Sequence, residues 1–248
     1  MKSFEELIAD AQQWSLHGWD FSELKGRWQE QEPPWDYRDL VLNLIPKATQ
    51  LLDMGTGGGE FLAKLPKLPE HVFATEAWPP NVPIARQRLE PLGIEVAHIH
   101  DDVLPYSDDQ FDLIINRHES FKAQEVFRTL APGGIFLTQQ VGGQDNIAIN
   151  QTIDTTASNE FADWGLGIAI KQLQDAGFTI THQRQAFPKT VFYDVGALIL
   201  YLKAIPWQIP NFTIEKYEPA LKRIDATIRD TGKFVSKAHR FVVIACKN

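Results

Sequence analysis

The chain has 248 residues, of which 44% are hydrophobic and 23% charged, and this length and composition are typical of a globular protein with a substantial core. Its formal net charge of −8 argues against a broad nucleic-acid-binding surface, because such surfaces are usually basic. The single cysteine, Cys246, excludes an internal disulfide and a metal site built from several cysteines.

Composition also bears on where the protein works. Residues 1–6 lack the apolar core of a signal peptide, and the longest apolar run, residues 195–202, is shorter than the ~20 residues that span a bilayer. A lone cysteine suits a reducing compartment. We therefore expect a cytoplasmic protein without a membrane span.

The N-terminal part predicts a helical and aromatic arm. Apolar residues from Phe4 to Ala11 recur at helical spacing. The following segment, up to residue 35, is rich in tryptophan and proline but has no clean period, so it indicates a structured arm and no sheet element. A further helix that stops at Pro46 completes the arm, which we assign to residues 1–48.

From residue 49 onward strands and helices alternate, which is typical of an α/β fold with a doubly wound parallel sheet. Strands are predicted at residues 49–53, 71–75, 94–99, 111–115, 133–140, 178–186 and 239–246. Helices are predicted at residues 58–65, 81–91, 121–130 and 166–176.

Residues 187–233 interrupt the alternation and predict a helical insertion. Residues 195–205 form one apolar segment, and apolar residues from Ile214 to Ile228 form a stripe with helical spacing. The core is then residues 49–186 plus 234–248. We expect the arm and the insertion to cover the carboxyl edge of the sheet, where ligands bind in such folds.

A glycine-rich turn directly follows the first strand of this core. Asp53 ends the strand two residues before Gly55, and Thr56, Gly57, Gly58 and Gly59 lead into a helix. Such a strand–turn–helix presents backbone N–H groups to a nucleotide-like ligand. The dinucleotide fingerprint requires Gly or Ala at position 60, which is Glu60, so a nicotinamide-dependent oxidoreductase is disfavoured. Asp53 instead suits a ligand with a free ammonium group, whose carboxylate the turn would bind.

Acidic residues also end the next two strands. Glu76 can accept hydrogen bonds from the hydroxyls of a ribose, and Trp78 can lie against an adenine ring. The third strand runs into Asp101, Asp102 and Val103, where a carboxylate can accept from the adenine amino group. Counting from the strand selects Asp102, whereas counting back from Leu104-Pro105 leaves Asp101 open. Acids at three neighbouring strand ends match S-adenosylmethionine, an amino acid joined to adenosine.

These motifs resemble the class I S-adenosylmethionine-dependent methyltransferases, in the UbiE-like branch of the methyltransferase domain 11 family. The resemblance also includes the runs Phe111-Asp112-Leu113-Ile114 and Leu130-Ala131-Pro132-Gly133-Gly134. It implies a Rossmann-like sheet of seven strands in the order 3-2-1-4-5-7-6 with strand 7 antiparallel. The expected cofactor-binding residues are Asp53, Gly55, Thr56, Gly57, Glu76, Ala77, Trp78, Asp101, Asp102, Val103, Asn116 and Arg117. The product would be S-adenosylhomocysteine, and no metal is expected.

Methyl transfer from a sulfonium needs an oriented acceptor and, for a protonated acceptor, a base. His118 follows the fourth strand of the core and is the first candidate base, and Glu119 could orient it or replace it. The run 116–119 lacks the Asn/Asp-Pro-Pro-aromatic motif that serves exocyclic amines of nucleobases and glutamine. A small, apolar or planar substrate is therefore expected, moving the methyl to O, N or C.

Aromatic residues of the two covering segments support that expectation; they are Trp14, Trp19, Trp28, Trp35, Phe192, Tyr193 and Trp207. Two alternatives stay open at this point. One is a non-catalytic protein that binds S-adenosylmethionine. The other is an RNA or protein methyltransferase, for which the insertion would need a basic surface; its lysines and arginines are interleaved with acids.

Overall fold

The computed structural model describes residues 2–14, 22–154 and 161–248. Its contacts divide the chain into two compact units. The helical unit comprises Met1–Pro33, Gly143–Asp163 and Ala186–His239, and the sheet unit comprises Pro34–Gly142, Trp164–Gln185 and Arg240–Asn248. The predicted Trp19 lies outside the described residues.

Strands and helices of the described residues are numbered in chain order. The strands are β1 (Trp28–Glu30), β2 (Gln50–Met54), β3 (His71–Glu76), β4 (Glu95–His98), β5 (Phe111–Arg117), β6 (Leu130–Val141), β7 (Phe178–Ala186), β8 (Lys189–Phe192), β9 (Phe234–Lys237) and β10 (Arg240–Lys247). The α-helices are α1 (Phe4–Gln13), α2 (Tyr37–Leu44), α3 (Glu60–Ala63), α4 (Val82–Leu89), α5 (Ala123–Thr129), α6 (Ile147–Ile153), α7 (Leu166–Asp175), α8 (Val195–Ala204) and α9 (Ile214–Thr231).

The sheet unit is built on a seven-stranded sheet in the order β4-β3-β2-β5-β6-β10-β7. Strands β2 to β6 pair in parallel, whereas β10 pairs antiparallel with β6 from Arg240↔Val141 to Cys246↔Ile135. Counted within the sheet, this order is 3-2-1-4-5-7-6. The predicted fold class and strand order are confirmed.

Side-chain alternation along the strands gives this sheet two apolar faces. Leu51 and Leu113 contribute to one buried cluster, while their neighbours Leu52 and Ile114 contribute to the other. All four residues are buried. Because successive side chains of a strand point to opposite faces, the near-continuous apolar runs of these strands are what a sheet covered on both sides requires.

Some predicted boundaries differ from the structure for local reasons. The helix expected at residues 58–65 begins only at Glu60, because Gly59 adopts φ +80°. Strand β5 continues to Arg117 and β6 to Val141, because the two strands stay paired up to Arg117↔Gln139 and β10 pairs with the end of β6. The sheet therefore extends polar residues further toward its carboxyl edge than the apolar pattern indicates.

The helical unit combines helices α1, α6, α8 and α9 with a small antiparallel sheet in the order β1-β8-β9. The predicted helices at residues 4–11, 195–205 and 214–228 are confirmed by α1, α8 and α9. The aromatic segment was expected to lack sheet structure, and this is wrong at Trp28–Glu30, which pairs with Thr190–Phe192. Because the two strands lie far apart in the sequence, no local residue pattern indicates that they pair.

The small sheet and its helices share one core. Phe192 is fully buried, and its ring lies 5.3 Å from that of Tyr201 on α8. Trp28 packs 6.2 Å from the same tyrosine. These two aromatic residues of the expected covering segments are core residues of the helical unit, whereas Tyr193 and Trp207 keep exposed surface.

Residues 34–48 group with the sheet unit, and residues 143–163 and β9 group with the helical unit. The covering role expected for the arm and the insertion stays a prediction. Within the described ranges, no helix is both long and apolar enough to pass through a bilayer.

At the amino end of the parallel strands, Asp112 joins β5 to the start of β2. Its carboxylate accepts from the backbone N–H of Thr49 at 2.8 Å, from the Thr49 hydroxyl at 2.5 Å and from the Gln50 N–H at 3.1 Å. Hydrogen bonds to an ionised acceptor are stronger than those between neutral groups. Asp112 therefore anchors the central strand pair.

We predict that Asp112→Ala lowers the free energy of unfolding by about 1–2 kcal/mol, because the exposed donors of Thr49 and the half-buried N–H of Gln50 at the β2 start lose their charged acceptor. Urea denaturation monitored by circular dichroism measures this. Asp39→Ala, which removes an exposed carboxylate from α2, is the matched control and should change stability by less than about 0.5 kcal/mol. Equal effects of the two variants would contradict the anchoring role.

Candidate functional site

The predicted site residues lie at the carboxyl ends of strands β2, β3 and β5 and in the loop after β4, all within the sheet unit. Parallel strands bring their carboxyl ends to one edge, so side chains that are far apart in sequence meet there. Asp53 lies beside Ala74 of β3 and Ile115 of β5 in the register. The edge is therefore the place at which the predicted residues can act together.

The glycine-rich turn is held in a conformation that favours glycine. Gly55, Gly57 and Gly59 have φ values of +68°, +63° and +80°. The Thr56 N–H donates to the Thr75 carbonyl at 2.9 Å, which ties the turn to the end of β3. A Cβ added at Gly57 would meet nothing within 4 Å, so the turn presents open space there.

Asp53 is buried, with 5% of its surface exposed. Burial raises the pKa of its carboxyl to about 6; the Thr56 hydroxyl and Arg117 oppose the rise, and Glu76 adds to it. A buried carboxylate is costly unless a partner compensates it. The arrangement is thus suited to receive a cationic group.

Tyr37 of α2 is a site residue that sequence reasoning missed. Burial raises the pKa of its phenol, and the nearby Asp53 carboxylate adds to that rise. The Arg117 guanidinium lies 5.7 Å from the Tyr37 ring centroid and 5.0 Å from that of Phe61. Cation–π contacts at these distances position the guanidinium beside Asp53.

Several buried polar groups around Asp53 have hydrogen-bonding capacity that the described residues do not fully use. Thr56 Oγ1 and Tyr37 Oη have only the contacts with Asp53 and with the Asn116 backbone that affect the pKa values of Asp53 and Tyr37, and Asn116 Nδ2 has no partner among the described residues. Asn116 sits at the end of β5, and its Oδ1 accepts from Thr138 Oγ1 at 2.9 Å and from Gln140 Nε2 at 2.6 Å. Its Nδ2 is left to donate. Since buried polar groups are normally satisfied, these atoms fit a polar ligand at the turn.

Glu76 ends β3 with 3% of its surface exposed. Its Oε1 accepts from the Trp78 N–H at 2.8 Å, which fixes the loop that follows. Ala77 is half-buried and Trp78 is 44% exposed. The carboxylate is held at the edge, and the indole keeps accessible surface next to it.

The two candidate acids after β4 have different environments. Asp101 Oδ1 accepts from the backbone N–H of Val103 at 2.9 Å, so it shapes its own loop. Asp102 Oδ1 accepts from the Ser120 hydroxyl at 2.9 Å, which directs it toward the end of β5. Val103 is 51% exposed. Of the two acids, Asp102 is the one that the structure brings to the other strand ends.

Glu119 lies against the glycine turn. A Cβ added at Gly55 would come within 2.4 Å of Glu119 Cβ and 2.8 Å of its Oε2. The pKa of the Glu119 carboxyl is raised, first by burial and then by Glu76 and Asp102. The mutual repulsion shows that these three acids are close together, and it makes Glu119 a better proton acceptor than an ordinary carboxylate.

His118 has φ +67°, a left-handed conformation that is uncommon outside glycine. Its N–H donates to the Gln139 carbonyl at 2.8 Å, and its ring Nε2 lies 3.2 Å from Gln139 Nε2. The residue keeps an exposed face, yet desolvation of the ring by the surrounding protein lowers the pKa of the imidazole. The positive charges of Arg240 and Arg117 lower it further. His118 is therefore a neutral group near pH 7.

The structure thus brings together Asp53, Glu76, Asp102 and Glu119, whereas Asp101 serves its loop. Trp35 was expected only as an aromatic residue of the covering arm, and its contact with Gln139 was not foreseen. The residues that sequence reasoning missed are Tyr37, Thr138, Gln139, Gln140 and Arg240. One signal was available, because Thr138, Gln139 and Gln140 are three consecutive polar residues in a buried central strand. Buried polar groups require hydrogen-bond partners, so such a run in a buried strand indicates a polar network or a binding site.

Comparison with known proteins gives a match to a protein family. Residues 52–138 match the family described as "Methyltransferase domain". Demethylmenaquinone methyltransferase of Thermus thermophilus is 35% identical over 107 residues, which cover 39% of this chain and 48% of that protein. Ubiquinone biosynthesis O-methyltransferase of Ruegeria pomeroyi is 33% identical over 81 residues, which cover 32% of this chain and 33% of that protein. The matched part spans half or less of the length of these relatives.

A solved structure from Bacillus halodurans, assigned as a methyltransferase, superposes with a TM-score of 0.61 at 17% identity. The superposition covers 85% of this chain and 98% of that one. At this identity the likeness shows the fold alone.

We predict that Asp53→Asn raises the free energy of unfolding at pH 7. The folded protein holds the Asp53 proton up to about pH 6, whereas the unfolded chain releases it near 3.8. The unfolding free energy therefore falls as the pH rises through this window, by roughly 3 kcal/mol in all. Asn carries no charge to bury, so the variant should lose this slope.

Urea denaturation at a series of pH values from about 4 to about 7.5 measures the slope. Asp39→Asn, at an exposed position of the same unit, should leave it unchanged. A variant at position 53 that keeps the slope would show that the Asp53 carboxyl titrates normally.

Proposed function

We propose that the protein binds S-adenosylmethionine and transfers its methyl group to O, N or C of a small molecule. Residues 52–138 of this chain match the methyltransferase domain family, which supports this proposal. The observation that carries the proposal is the buried Asp53 carboxylate beside an open glycine turn. A buried anion next to the open turn at Gly57 suits a ligand that bears an ammonium and a carboxylate on the same carbon atom.

In this proposal the amino-acid part of the ligand lies at the β2 end. Asp53 accepts from the ammonium, and the Gly57 N–H, beside the open space at the turn, binds the carboxylate, because the N–H groups of Gly55 and Thr56 already donate to Thr75. The guanidinium of Arg117, which the rings of Tyr37 and Phe61 hold beside Asp53, adds a positive charge for that carboxylate. Asn116 Nδ2 is a further donor.

The nucleoside part lies at the β3 and β4 ends. Glu76 accepts from the ribose hydroxyls, and the exposed faces of Trp78 and Val103 flank the adenine, with Ala77 between Glu76 and Trp78. We assign the adenine amino group to Asp102, because Asp101 is engaged by the Val103 N–H. In this assignment the ligand contacts one acidic residue at the end of each of three strands: Asp53 of β2, Glu76 of β3 and Asp102 in the loop after β4.

When bound, the sulfonium of the cofactor supplies an already activated methyl group. The residues of this chain then need to orient the acceptor and exclude water, and orientation alone is worth about 7–11 kcal/mol. An acceptor that starts protonated needs a base. We favour Glu119 over His118, because the raised pKa of Glu119 increases its proton affinity while that of His118 is lowered.

A small-molecule acceptor is supported by the relatives, whose names refer to demethylmenaquinone and to an O-methylation in ubiquinone biosynthesis. We propose a substrate of similar class, a planar molecule with a ring hydroxyl or an acidic ring carbon. The net charge of −8 disfavours RNA. The lone half-buried Cys246 supports a cytoplasmic location.

We predict that Gly57→Ala weakens S-adenosylmethionine binding at least about tenfold, because the added methyl would occupy the open space at the turn. Gly93→Ala is the matched control. Gly93 also has a positive φ, +78°, and open space around it, but it precedes β4 at the opposite edge of the sheet. Both variants should lose a similar stability of about 1–2 kcal/mol from backbone strain.

Isothermal titration calorimetry measures the affinities, with NADH as a ligand that should not bind. The proposed site would be refuted by a Gly57→Ala protein that binds S-adenosylmethionine as tightly as Gly93→Ala does. Binding of NADH in place of S-adenosylmethionine would refute the cofactor.

We also predict that the protein releases S-adenosylhomocysteine when supplied with S-adenosylmethionine and a panel of hydroquinones, catechols and naphthols. Asp53→Asn should reduce the release at least about tenfold at pH 7, because the ammonium loses its charged partner. Mass spectrometry of the acceptor identifies the methylated atom. Tight cofactor binding without turnover of any acceptor class would favour a non-catalytic binding protein.

A further inference from the structure

A chain of hydrogen bonds in the sheet unit runs from Trp35 through Gln139 to His118. The indole Nε1 of Trp35 lies 2.8 Å from Gln139 Oε1. The other atom of the same amide, Gln139 Nε2, lies 3.2 Å from His118 Nε2. Gln139 is 7% exposed, so its amide has little access to water that could replace either partner.

The chemistry of these groups fixes the direction of each hydrogen bond. An indole nitrogen only donates, so the amide atom facing it must be the oxygen. The amide nitrogen then faces His118 Nε2 and donates to it. An Nε2 that accepts cannot carry a proton, and a neutral imidazole must then carry its proton on Nδ1. The opposite amide orientation would set two donors against each other at Trp35.

Other contacts hold the same arrangement. The Gln139 carbonyl accepts from the His118 N–H at 2.8 Å, so one residue fixes both the backbone and the ring of His118. The Arg184 guanidinium lies 5.9 Å from the Trp35 ring centroid and helps to hold the indole. The positive charges of Arg240 and Arg117 oppose a second proton on the imidazole, consistent with its lowered pKa.

We infer that Trp35 and Gln139 lock His118 as the neutral Nδ1–H tautomer, and that this N–H donates a hydrogen bond to the methyl-accepting molecule. His118 is then a donor that positions the substrate and cannot serve as a general base, because one ring nitrogen is engaged and the other already carries a proton. The donor role rests on the proposed function, whereas the tautomer follows from the protein alone.

The location of the ring makes the donor useful. His118 directly follows β5 and precedes Glu119, whose side chain lies on Gly55 of the glycine turn. Among the described residues, Nδ1 of His118 has no hydrogen-bond partner, and the residue is exposed. Because Arg117 and Arg240 make the surroundings positive, the donor favours an acceptor atom that is an anionic or carbonyl oxygen.

Nuclear magnetic resonance of the full chain with 15N-labelled histidine tests the tautomer. Protonated and unprotonated ring nitrogens resonate at different 15N shifts, and the His118→Asn spectrum identifies the His118 signals among the 7 histidines. We expect a protonated Nδ1 and an unprotonated Nε2 that stay constant from about pH 5.5 to about pH 8. A proton on Nε2, or a titration within this range, would overturn the inference.

Two variants test whether Trp35 and Gln139 determine the tautomer of His118. Gln139→Glu replaces the donating amide with an acceptor, so the proton should move to Nε2 or the ring should become doubly protonated. Trp35→Phe frees the amide to turn, and both tautomers should appear. Trp164→Phe, in the same unit, is the matched control and should leave the His118 signals unchanged. If the His118 signals were unchanged in both Trp35→Phe and Gln139→Glu, Trp35 and Gln139 would not determine the tautomer, and the inference would be refuted.

The donor role is tested by turnover of the acceptor that the hydroquinone, catechol and naphthol panel identifies. His118→Asn places an amide nitrogen where Nδ1 lies and should keep kcat/KM within about threefold, whereas His118→Gln places it near Nε2 and should lose at least about tenfold, mainly in KM. Equal losses in both variants would contradict a donor at Nδ1. S-adenosylmethionine binding by calorimetry should be unchanged in both, so a failed donor role is distinguishable from a failed cofactor site.

Discussion

The arrangement of this site depends on one buried carboxylate. Asp53 ends the central strand β2 with 5% of its surface exposed, and burial raises its pKa to about 6. A charge in such surroundings is stable only beside a compensating group. The guanidinium of Arg117 and the hydroxyl of Thr56 compensate it in part. In the proposed function an ammonium group supplies the remaining positive partner, so the same carboxylate lowers the stability of the protein without ligand and favours ligand binding.

Around this carboxylate the two faces of the sheet have separate tasks. Asp53, Arg117 and Gln139 share one face with the buried cluster that contains Tyr37. Asn116, Thr138 and Gln140 form a connected polar network on the other face. In the proposed function, the first face offers charged and donor groups to a ligand, and the second holds the end of β5 in place while leaving Asn116 Nδ2 to donate. With the two sets of groups on opposite faces, the hydrogen-bonded network gives a rigid support to the groups that stay available for a ligand.

The features that could be predicted from sequence are local ones. The strand, acid and glycine turn at residues 50–59 are contiguous, and Glu76 ends the next strand, so the fold class and the position of these acids follow from pattern. The contacts that were missed join residues far apart in sequence: Trp35 donates to Gln139 over 104 positions, and β1 pairs with β8. The choice between Asp101 and Asp102 depended on Ser120, whose contact no spacing reveals. His118 lies just past the end of β5, as expected, but its ring contact with Gln139 and the nearby charge of Arg240 of β10 arise only in the folded chain.

Strand β6 carries a further constraint. Its residues 138–140 alternate between the two faces, with Gln139 facing His118 and its two neighbours facing Asn116. Inserting or deleting a single residue upstream in this strand would exchange the two sets, because the side-chain period of a strand is two. Seven residue pairs with β10, from Ile135 to Val141, oppose such a slip. The length of β6 should therefore be intolerant of insertions and deletions during evolution, even at positions where the identity of the side chain is free to drift.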